Sequence, residues 1–374
     1  TYKVNYLEKD TNVVLHRQKV AENITFETVI KAVDEVIEID GYNYDSADKE
    51  EITIGTGENI INLYYTKRTD LTYKVNYVEK DTNKVLKEAK IVENVTFGTI
   101  IDANNEVVAI DGYNYDSVDK DEITIGTGTN EITIYYCKRT DLTYKVNYLE
   151  KGSNAILNTQ KVVENVTFET IIKAADEVIA IDGYNYDSAD KEQITIGTNE
   201  NVINLYYCKK TDLIYKVNYL EKDTNAVLNE QKIQGDQTFG SVIKAADEVI
   251  EIDGYNYAYP DKDELVIGTS ENVINLYYTK RNDLTYKVNY LEDGTNQVLH
   301  APKNEIRQTF GSVIKAVDEA IEIDGYNYAY PDKTELIIGT GENVINLYYT
   351  KVEGLSYKVN FLEKGTNKQL HSPN

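Results

Sequence analysis

The three histidines of this 374-residue chain are the side chains best suited to acid–base catalysis, but their placement argues against that role. His16, His300 and His371 occupy the same position of a repeated segment in three of its copies. The other copies carry Lys87, Asn158 and Asn229 at that position. A catalytic histidine works only with its carboxylate or hydroxyl partner, so a repeated catalytic site would keep it. The sequence also contains no phosphate-binding loop, nucleophile elbow or metal-ligand cluster. We therefore predict no enzyme activity, no catalytic residue, no cofactor and no metal site.

The acidic stretch from Asp40 to Glu51 carries the oxygen ligands that Ca²⁺ prefers. It does not have the EF-hand spacing, which places Asp or Asn at the first, third and fifth positions of the loop. In two later copies Asp45 is replaced by Ala258 and Ala329. A solvated turn is therefore the favoured interpretation, although the sequence leaves stabilisation by Ca²⁺ open.

Three copies carry a glycosylation sequon, at residues 23–25, 94–96 and 165–167. The sequon falls where the repeat is predicted to begin a helix, and Asn and Thr are favoured helix caps. The fourth and fifth copies lose the Asn and keep the Thr. We interpret these residues as caps.

Covalent cross-links have weak support in the sequence. Cys137 and Cys208 occupy one repeat position in neighbouring copies, where the other copies carry Thr66, Thr279 and Thr350. A disulfide would require two domains to fold back on each other, so none is predicted. An isopeptide bond between Lys3 and Asn62 would need a buried acid beside the pair, and no Glu flanked by apolar residues is evident.

Tyrosine is abundant, with 33 residues, whereas Trp and Met are absent. Tyrosine rings can stack on sugars, but six recur at fixed positions of the repeat, several of them in phase with buried valines and isoleucines, which favours core packing. In the first copy they are Tyr2, Tyr6, Tyr42, Tyr44, Tyr64 and Tyr65. Tyr259 and Tyr330 differ, because they lie in Ala-Tyr-Pro-Asp loops that only two copies contain. We predict these two as candidate ligand contacts.

The elements that position these residues recur with a fixed period. The motif Tyr-Lys-Val-Asn-Tyr begins at Tyr2 and returns at Tyr73, 71 residues later, and so on along the chain. This periodicity indicates one folding unit copied head to tail. We expect five domains at 1–71, 72–142, 143–213, 214–284 and 285–355, followed by the truncated start of a sixth at 356–374. We also expect the chain to be a piece of a longer protein.

Within one repeat the hydrophobic pattern predicts the order β-β-α-β-β. Residues 2–8 and 13–20 alternate as strands, and residues 60–65 form the last strand. Between them Thr25 is a candidate N-cap for a helix whose apolar stripe contains Phe26, Val29, Ile30 and Val33. The predicted class is α+β, a β-grasp-like unit in which one helix covers a four-stranded sheet. The first and last strands are expected side by side and parallel in the middle of that sheet.

This topology predicts an elongated rod, since each unit is entered at one end and left at the other. The link of residues 66–72 contains no Gly or Pro, which restricts bending. Each unit should span ~35 Å and five of them ~150–200 Å. A recurring leucine beside each link is the candidate for inter-repeat packing: Leu71, Leu142, Leu213, Leu284 and Leu355.

Net charge restricts the partners. The chain has 39 Lys and Arg against 63 Asp and Glu, a net charge of −24. Nucleic acid, anionic membranes and sulfated or sialylated glycans are disfavoured, because each needs a basic surface. No run of 18 apolar residues is present, so membrane insertion by this segment is not expected.

Three motifs resemble the repeats of the MucBP (mucin-binding-protein) family. They are the opening Tyr-Lys-Val-Asn-Tyr-Leu-Glu-Lys-Asp-Thr-Asn, the central Ile39-Asp40-Gly41-Tyr42 and the closing Asn62-Leu63-Tyr64-Tyr65. The resemblance extends over all five copies and implies β-grasp repeats of a Gram-positive surface protein. It also implies an extracellular, wall-attached adhesin or stalk, although this sequence shows neither a secretion signal nor a sorting motif.

Three functions fit this description. The first is a non-enzymatic stalk or spacer of a cell-surface adhesin or filament. The second is a multivalent array that binds mucin-type glycans or a host protein. The third is a filament subunit that assembles with itself through the partial sixth repeat. A binding array should keep one exposed patch in every copy, and the drift of the loops between copies 1–3 and 4–5 favours the stalk.

Overall fold

The computed structural model describes residues 1–372. Each repeat contains six strands and one short 3₁₀ turn. In the first repeat they are β1 Tyr2–Glu8, β2 Val14–Ala21, β3 Val29–Lys31, a 3₁₀ turn Ala32–Glu35, β4 Tyr42–Ala47, β5 Glu51–Thr53 and β6 Ile60–Lys67. In the second they are β7 Leu71–Glu79, β8 Val85–Val95, β9 Ile100–Asp102, a turn Ala103–Glu106, β10 Tyr113–Val118, β11 Glu122–Thr124 and β12 Glu131–Lys138.

The later repeats have the same elements. The third contains β13 Leu142–Glu150, β14 Ile156–Val166, β15 Ile171–Lys173, a turn Ala174–Glu177, β16 Tyr184–Ala189, β17 Gln193–Thr195 and β18 Asn201–Lys209. The fourth contains β19 Leu213–Glu221, β20 Val227–Gln237, β21 Val242–Lys244, a turn Ala245–Glu248, β22 Tyr255–Pro260, β23 Glu264–Val266 and β24 Val273–Lys280. The fifth contains β25 Leu284–Glu292, β26 Val298–Gln308, β27 Val313–Lys315, a turn Ala316–Glu319, β28 Tyr326–Pro331, β29 Glu335–Ile337 and β30 Val344–Lys351.

Every repeat builds one four-stranded sheet and one two-stranded ribbon. The first sheet has the order β2-β1-β6-β4, and β3 pairs with β5 in the ribbon. Strands β1 and β6 run parallel, with six register pairs from Lys3↔Ile60 to Glu8↔Tyr65, whereas β1–β2 and β4–β6 are antiparallel. The predicted parallel pairing of the first and last strands in the middle of the sheet is therefore confirmed.

The core of each repeat lies on one face of this central pair. In β1 the residues Tyr2, Val4 and Tyr6 are buried, and in β6 they are joined by Ile61 and Leu63. The intervening residues of both strands are more exposed, as the alternation in the sequence predicts. The strand pattern of the sequence thus places the core correctly.

The predicted helix is wrong. The described part of the chain is mainly β, with only short 3₁₀ turns, and is not clearly the expected α+β β-grasp unit. Val29 and Ile30 belong to β3, while Phe26 and Val33 are 59% and 66% exposed. Thr25 caps no helix. The apolar spacing matched a helical stripe, but β-branched side chains favour extended backbone. Glu27 also has φ 60°, in the left-handed region, which a right-handed helix does not tolerate.

The sequon asparagines have a conformational role in place of the predicted capping role. Asn23, Asn94 and Asn165 have φ values of 54°, 57° and 58°. The equivalent Asp236 and Arg307 have φ values of 55° and 60°. Asn and Asp adopt left-handed backbone more readily than most residues, so this turn explains the preference at four of the five copies.

The partial sixth repeat forms a short ladder, β31 Phe361–Leu362 with β32 Gln369–His371. Tyr357, Val359 and Phe361 are 85%, 36% and 47% exposed. A two-stranded ladder of this kind offers no further strands or second layer to cover these side chains, which explains their exposure.

The chain divides into two compact units, and the division falls inside the third repeat. One unit contains Thr1–Ile179 and Asp187–Tyr206. The other contains Ala180–Tyr186 and the described residues from Tyr207 onward. Within residues 1–372 no helix has the length and apolar character needed to cross a membrane.

Candidate functional site

Successive repeats are joined by what we call the junction clasp: Asp40, Gly41, Tyr42 and Arg68 of the first repeat with Phe97 and Thr127 of the second. The Phe97 ring lies on Gly41, where a Cβ atom would stand 2.3 Å from a ring carbon. Gly41 also has φ +79°, so glycine is required here both for its backbone conformation and for the space it leaves. The Tyr42 and Phe97 rings meet edge to face, with centroids 5.6 Å apart.

Hydrogen bonds complete the clasp. The Phe97 amide donates to the Arg68 carbonyl at 2.8 Å, and the Arg68 amide donates to the Gly41 carbonyl at 2.9 Å. The Thr127 hydroxyl donates to an Asp40 carboxylate oxygen at 2.5 Å. The Arg68 guanidinium binds Asp70 through two bonds of 3.0 and 2.9 Å, which raises the pKa of Arg68 and lowers the pKa of Asp70.

The clasp recurs at the three following junctions with equivalent residues. The ring-on-glycine contacts are Phe168 on Gly112, Phe239 on Gly183 and Phe310 on Gly254. The hydroxyl-to-carboxylate bonds are Thr198 to Asp111, Thr269 to Asp182 and Thr340 to Asp253. Sequence reasoning did not single out this phenylalanine as a junction residue, although a Gly-Tyr pair with a Phe kept in each later copy was visible.

Four of the five leucines predicted to pack between repeats lie at the start of the next repeat's first strand, and Leu355 lies outside the strands. Leu71 is in the core of the second repeat beside Tyr73 and Val75, and Leu284 is in the core of the fifth. Leu142 is also buried, Leu213 is half-buried, and Leu355 is 77% exposed. Their contribution to the junctions stays a prediction.

A second recurring feature is a surface depression that we call the tyrosine groove. In the first repeat it has a volume of about 690 Å³ and lies between the Val36–Asp40 segment and β4, beside Tyr44 and Tyr65. The fourth repeat has a groove of about 670 Å³ lined by the equivalent residues, including Tyr257 and Tyr278. The same local sequence therefore builds the same groove in both compact units.

Tyr44 is the exposed aromatic of this groove, and its equivalents are exposed in all five copies: Tyr44 38%, Tyr115 43%, Tyr186 41%, Tyr257 39% and Tyr328 37%. Its ring meets the buried Tyr65 ring edge to face at 5.8 Å. The neighbouring Asn43 is exposed as well. Sequence reasoning assigned Tyr44 to the core, because it is in phase with Tyr42. It does face the core side of the sheet, opposite Tyr65, but is left partly uncovered.

The structure gives the two predicted ligand-contact tyrosines partners within their own repeats. The Tyr259 ring lies 5.3 Å from the Tyr277 ring, and the Lys222 ammonium is 5.6 Å from its centroid. The Tyr330 hydroxyl donates to Asp293 at 2.6 Å. Both rings remain exposed, at 43% and 48%, and their role as ligand contacts stays a prediction.

A glutamate that is buried in the first four repeats and half-buried in the fifth links three elements of every repeat. The Tyr2 hydroxyl donates to Glu35 at 2.7 Å, and the Lys19 ammonium donates to the other Glu35 oxygen at 2.5 Å. Burial, and then Glu35, raises the pKa of Tyr2, and the bond to Glu35 raises the pKa of Lys19. With both pKa values raised, the Tyr2 phenol stays neutral and the Lys19 ammonium stays charged. Neither group is activated as a nucleophile, so the cluster is suited to a structural role.

The cross-link candidates also have separate partners. Lys3 forms an ion pair with Glu58 at 3.4 Å, whereas the Asn62 amide donates to Asp48 at 3.0 Å. No disulfide joins Cys137 to Cys208. Cys137 lies 3.4 Å from an Asp116 oxygen, and burial raises the pKa of its thiol. Within residues 1–372 no group of three His, Cys, Asp or Glu side chains is arranged to hold a metal ion.

The solved structures that are similar to parts of this chain include the following two. One contains SHIRT domains 3–4, Streptococcal High Identity Repeats in Tandem, from a cell surface protein; it is 14% identical, covers 37% of this chain and 98% of its own, and has a TM-score of 0.17. The other is Mub-RV, which is 12% identical, covers 56% of this chain and 99% of its own, and has a TM-score of 0.15. At these scores neither similarity supports an argument. No protein-family profile and no curated protein matches the chain, so membership of the MucBP family stays a prediction.

Proposed function

We propose that this chain is a non-enzymatic, repetitive stalk of a bacterial cell-surface protein. The observation that carries the proposal is the parallel pairing of the first and last strands of a repeat, β1 with β6. Because two adjacent parallel strands start at the same end, the chain enters a repeat at the start of β1 and leaves at the far end of β6. Each repeat therefore adds length, which is what a stalk requires.

The same pairing suits a stalk under tension. A force applied between the start of β1 and the end of β6 acts along both strands, so the six register pairs from Lys3↔Ile60 to Glu8↔Tyr65 are loaded together. Bonds loaded together in shear resist more force than bonds opened one at a time. The tyrosine, lysine and glutamate cluster at Glu35 further ties β1 to β2 and to the 3₁₀ turn.

The junction clasps support a stalk of restricted flexibility. A ring seated on a glycine, one backbone hydrogen bond and a Thr–Asp bond connect the neighbouring repeats at each junction between complete repeats. A flexible linker would have none of these contacts. Location at a Gram-positive cell surface, outside the cell, is proposed from the resemblance of the three sequence motifs alone.

Small-angle scattering of the full chain tests the proposal. For a stalk of five end-to-end repeats we expect a maximum dimension of ~150–200 Å. A maximum dimension below ~100 Å would mean that the repeats fold back on one another, and the stalk proposal would then be abandoned. Measurement at low and high salt controls for repulsion between the acidic repeats.

A further inference from the structure

We propose that the junction between the second and third repeats is stiffened by an ion lock, which Lys84 and Lys138 of the second repeat form with Glu169 of the third. We call this the second junction, and the one between the first and second repeats the first junction. The lock makes the second junction less flexible than the first, and salt removes the difference. This inference goes beyond the stalk proposal, because it concerns how unequally the chain bends along its length.

The lock joins three charges across the junction. One Glu169 carboxylate oxygen lies 2.8 Å from the Lys138 ammonium, and the other lies 3.5 Å from the Lys84 ammonium. The hydrogen bond from Lys138 lowers the pKa of Glu169 and Lys84 lowers it further, so the carboxylate stays charged at neutral pH. The side chains of Lys84, Lys138 and Glu169 are 54%, 32% and 37% exposed. Dissolved ions therefore reach these pairs and screen them.

The sequence brings this set of charges together at one junction between complete repeats. The other three junctions carry Val13 with Gly98, Ala155 with Gly240 and Ala226 with Gly311 in place of Lys84 and Glu169. The lysine at the position of Lys138 is kept, but at the first junction Lys67 pairs with Glu8 of its own repeat at 3.7 Å. The first repeat also has a glutamate, Glu27, at the position of Glu169, but no repeat precedes it in this sequence.

The backbone directs the position of Glu169 towards the preceding repeat. Glu169 has φ 64°, and the equivalent Gly98 has φ 78°, both in the left-handed region. A Cβ added to Gly98 would lie 4.0 Å from the Lys67 ammonium nitrogen, so the first junction presents the equivalent lysine to this position. Only the carboxylate is missing there. A glutamate is strained in left-handed backbone, and the two ion pairs of Glu169 offset this cost.

The lock acts on a contact that is already fixed by the clasp. Glu169 follows Phe168, whose ring lies on Gly112, and the Phe168 amide donates to the Arg139 carbonyl at 2.8 Å. Arg139 in turn follows Lys138. Because the backbone holds both partners close together, little conformational freedom is lost when the ion pair forms. Partly exposed pairs of this kind shift an equilibrium by about 2- to 5-fold.

Double electron–electron resonance on the full chain tests the proposal. Spin-labelled cysteines in place of Glu88 and Thr159 report on the second junction, and in place of Arg17 and Glu88 on the first, since all three positions are equivalent and exposed. Cys137 and Cys208 are replaced by Thr in every sample. At ~0.01 M salt we expect a narrower distribution of label distances across the second junction. At ~1 M salt the difference should disappear, because the Debye length falls from ~30 Å to ~3 Å.

Three variants separate the lock from the rest of the junction. Glu169→Gln keeps the side-chain size and removes the charge, so it should raise the population of bent conformers at the second junction by about 2- to 5-fold. The matched control is Glu164→Gln, which removes an exposed carboxylate of the same repeat and should change neither distribution. Val13→Lys together with Gly98→Glu places the lock at the first junction and should narrow its distribution.

Equal widths across the two junctions at ~0.01 M salt would overturn the proposal without the use of any lock variant. A Glu169→Gln chain with a second junction as narrow as before would also overturn it. Equal broadening by Glu164→Gln would assign the effect to general charge, and failure of the transferred lock to narrow the first junction would show that these three residues are not its cause. None of these outcomes alters the path of the chain through a repeat, so small-angle scattering tests the stalk proposal separately.

Discussion

At the scale of the residue, one contact between the turn after β1 and strand β4 is maintained with three different chemistries. In the first repeat Lys9 forms an ion pair with Asp45 at 2.7 Å. In the fourth repeat Ala258 replaces Asp45, and the ammonium of the equivalent Lys222 lies over the Tyr259 ring. In the fifth repeat Asp293 replaces the lysine, and its carboxylate accepts a hydrogen bond from the Tyr330 hydroxyl. Tyr259 and Tyr330, the tyrosines that only two copies contain, therefore replace a lost ion pair.

The ring-on-glycine contact leads to a prediction about Gly41. Gly41→Ala should cost more than Gly325→Ala, because a Cβ at Gly41 meets the Phe97 ring whereas nothing lies within 4 Å at Gly325. Both glycines have positive φ, +79° and +78°, so the backbone penalty of ~1–2 kcal/mol is common to the two variants. Calorimetry should show the additional loss for Gly41→Ala only. Equal melting curves would show that the clasp contributes nothing.

The buried glutamate cluster predicts loss of stability in alkali. Burial, and then Glu319, raises the pKa of Tyr286 to about 12, whereas an unfolded tyrosine titrates near ~10. The unfolded chain therefore loses this proton first, and stability present below pH ~10 is lost as the pH rises towards ~12. Denaturant unfolding at pH 9 to 12 measures the effect. Tyr286→Phe should show a smaller decline, and an unchanged decline would remove this tyrosine as the cause.

At the scale of the element, the parallel central pair determines how a repeat responds to force. Strands β1 and β6 share six register pairs, while β1 and β2 are antiparallel neighbours joined by a turn. Tension through the ends of β1 and β6 acts in shear. Tension across β1 and β2 opens their ladder from one end.

Single-molecule pulling can compare these two directions in the same repeat. Attachment at Thr1 and Lys67 should give a higher unfolding force than attachment at Thr1 and Glu22, since the second geometry breaks hydrogen bonds one after another. Cysteine substitutions at these three exposed positions provide the handles, with Cys137 and Cys208 replaced by Thr as the common background. Equal forces in the two directions would contradict the shear interpretation.

At the scale of the whole molecule, the partial sixth repeat bears on assembly. Its apolar residues Tyr357 and Phe361 are exposed, and an unpaired hairpin can add to an open sheet edge of another chain. Because β31 and β32 form only a short ladder, few residues of this hairpin are already held as a strand that could pair with another chain.

We expect the chain to be monomeric with or without residues 356–374. Multi-angle light scattering of the full chain and of a truncated chain ending at Leu355 measures this directly. The truncated chain is the matched control, because its five complete repeats are unaltered. A polymer that dissociates on truncation would establish the filament alternative.

The sequence alone determined the period and the first, second and last strands of each repeat, but it did not predict β3 or β4. Alternating residues such as Tyr2, Val4 and Tyr6 identify a buried face wherever strands form. The match of the predicted element order to a β-grasp-like unit predicted the adjacent, parallel end strands. These features depend on local spacing, which is repeated five times and is therefore read with little ambiguity.

Only the tertiary structure decided the fate of residues 25–35, the exposure of Tyr44 and the contact of Phe97 with Gly41. Helical and extended backbones both fit the spacing of the apolar residues within 25–35. The left-handed φ of Glu27 arises only in the folded chain. The alternation of the strand places Tyr44 on the core side of the sheet. Its exposure depends on how much of the ring residues 36–40 cover. The Phe97–Gly41 contact joins two repeats, and no pattern within one repeat specifies what lies beyond its end.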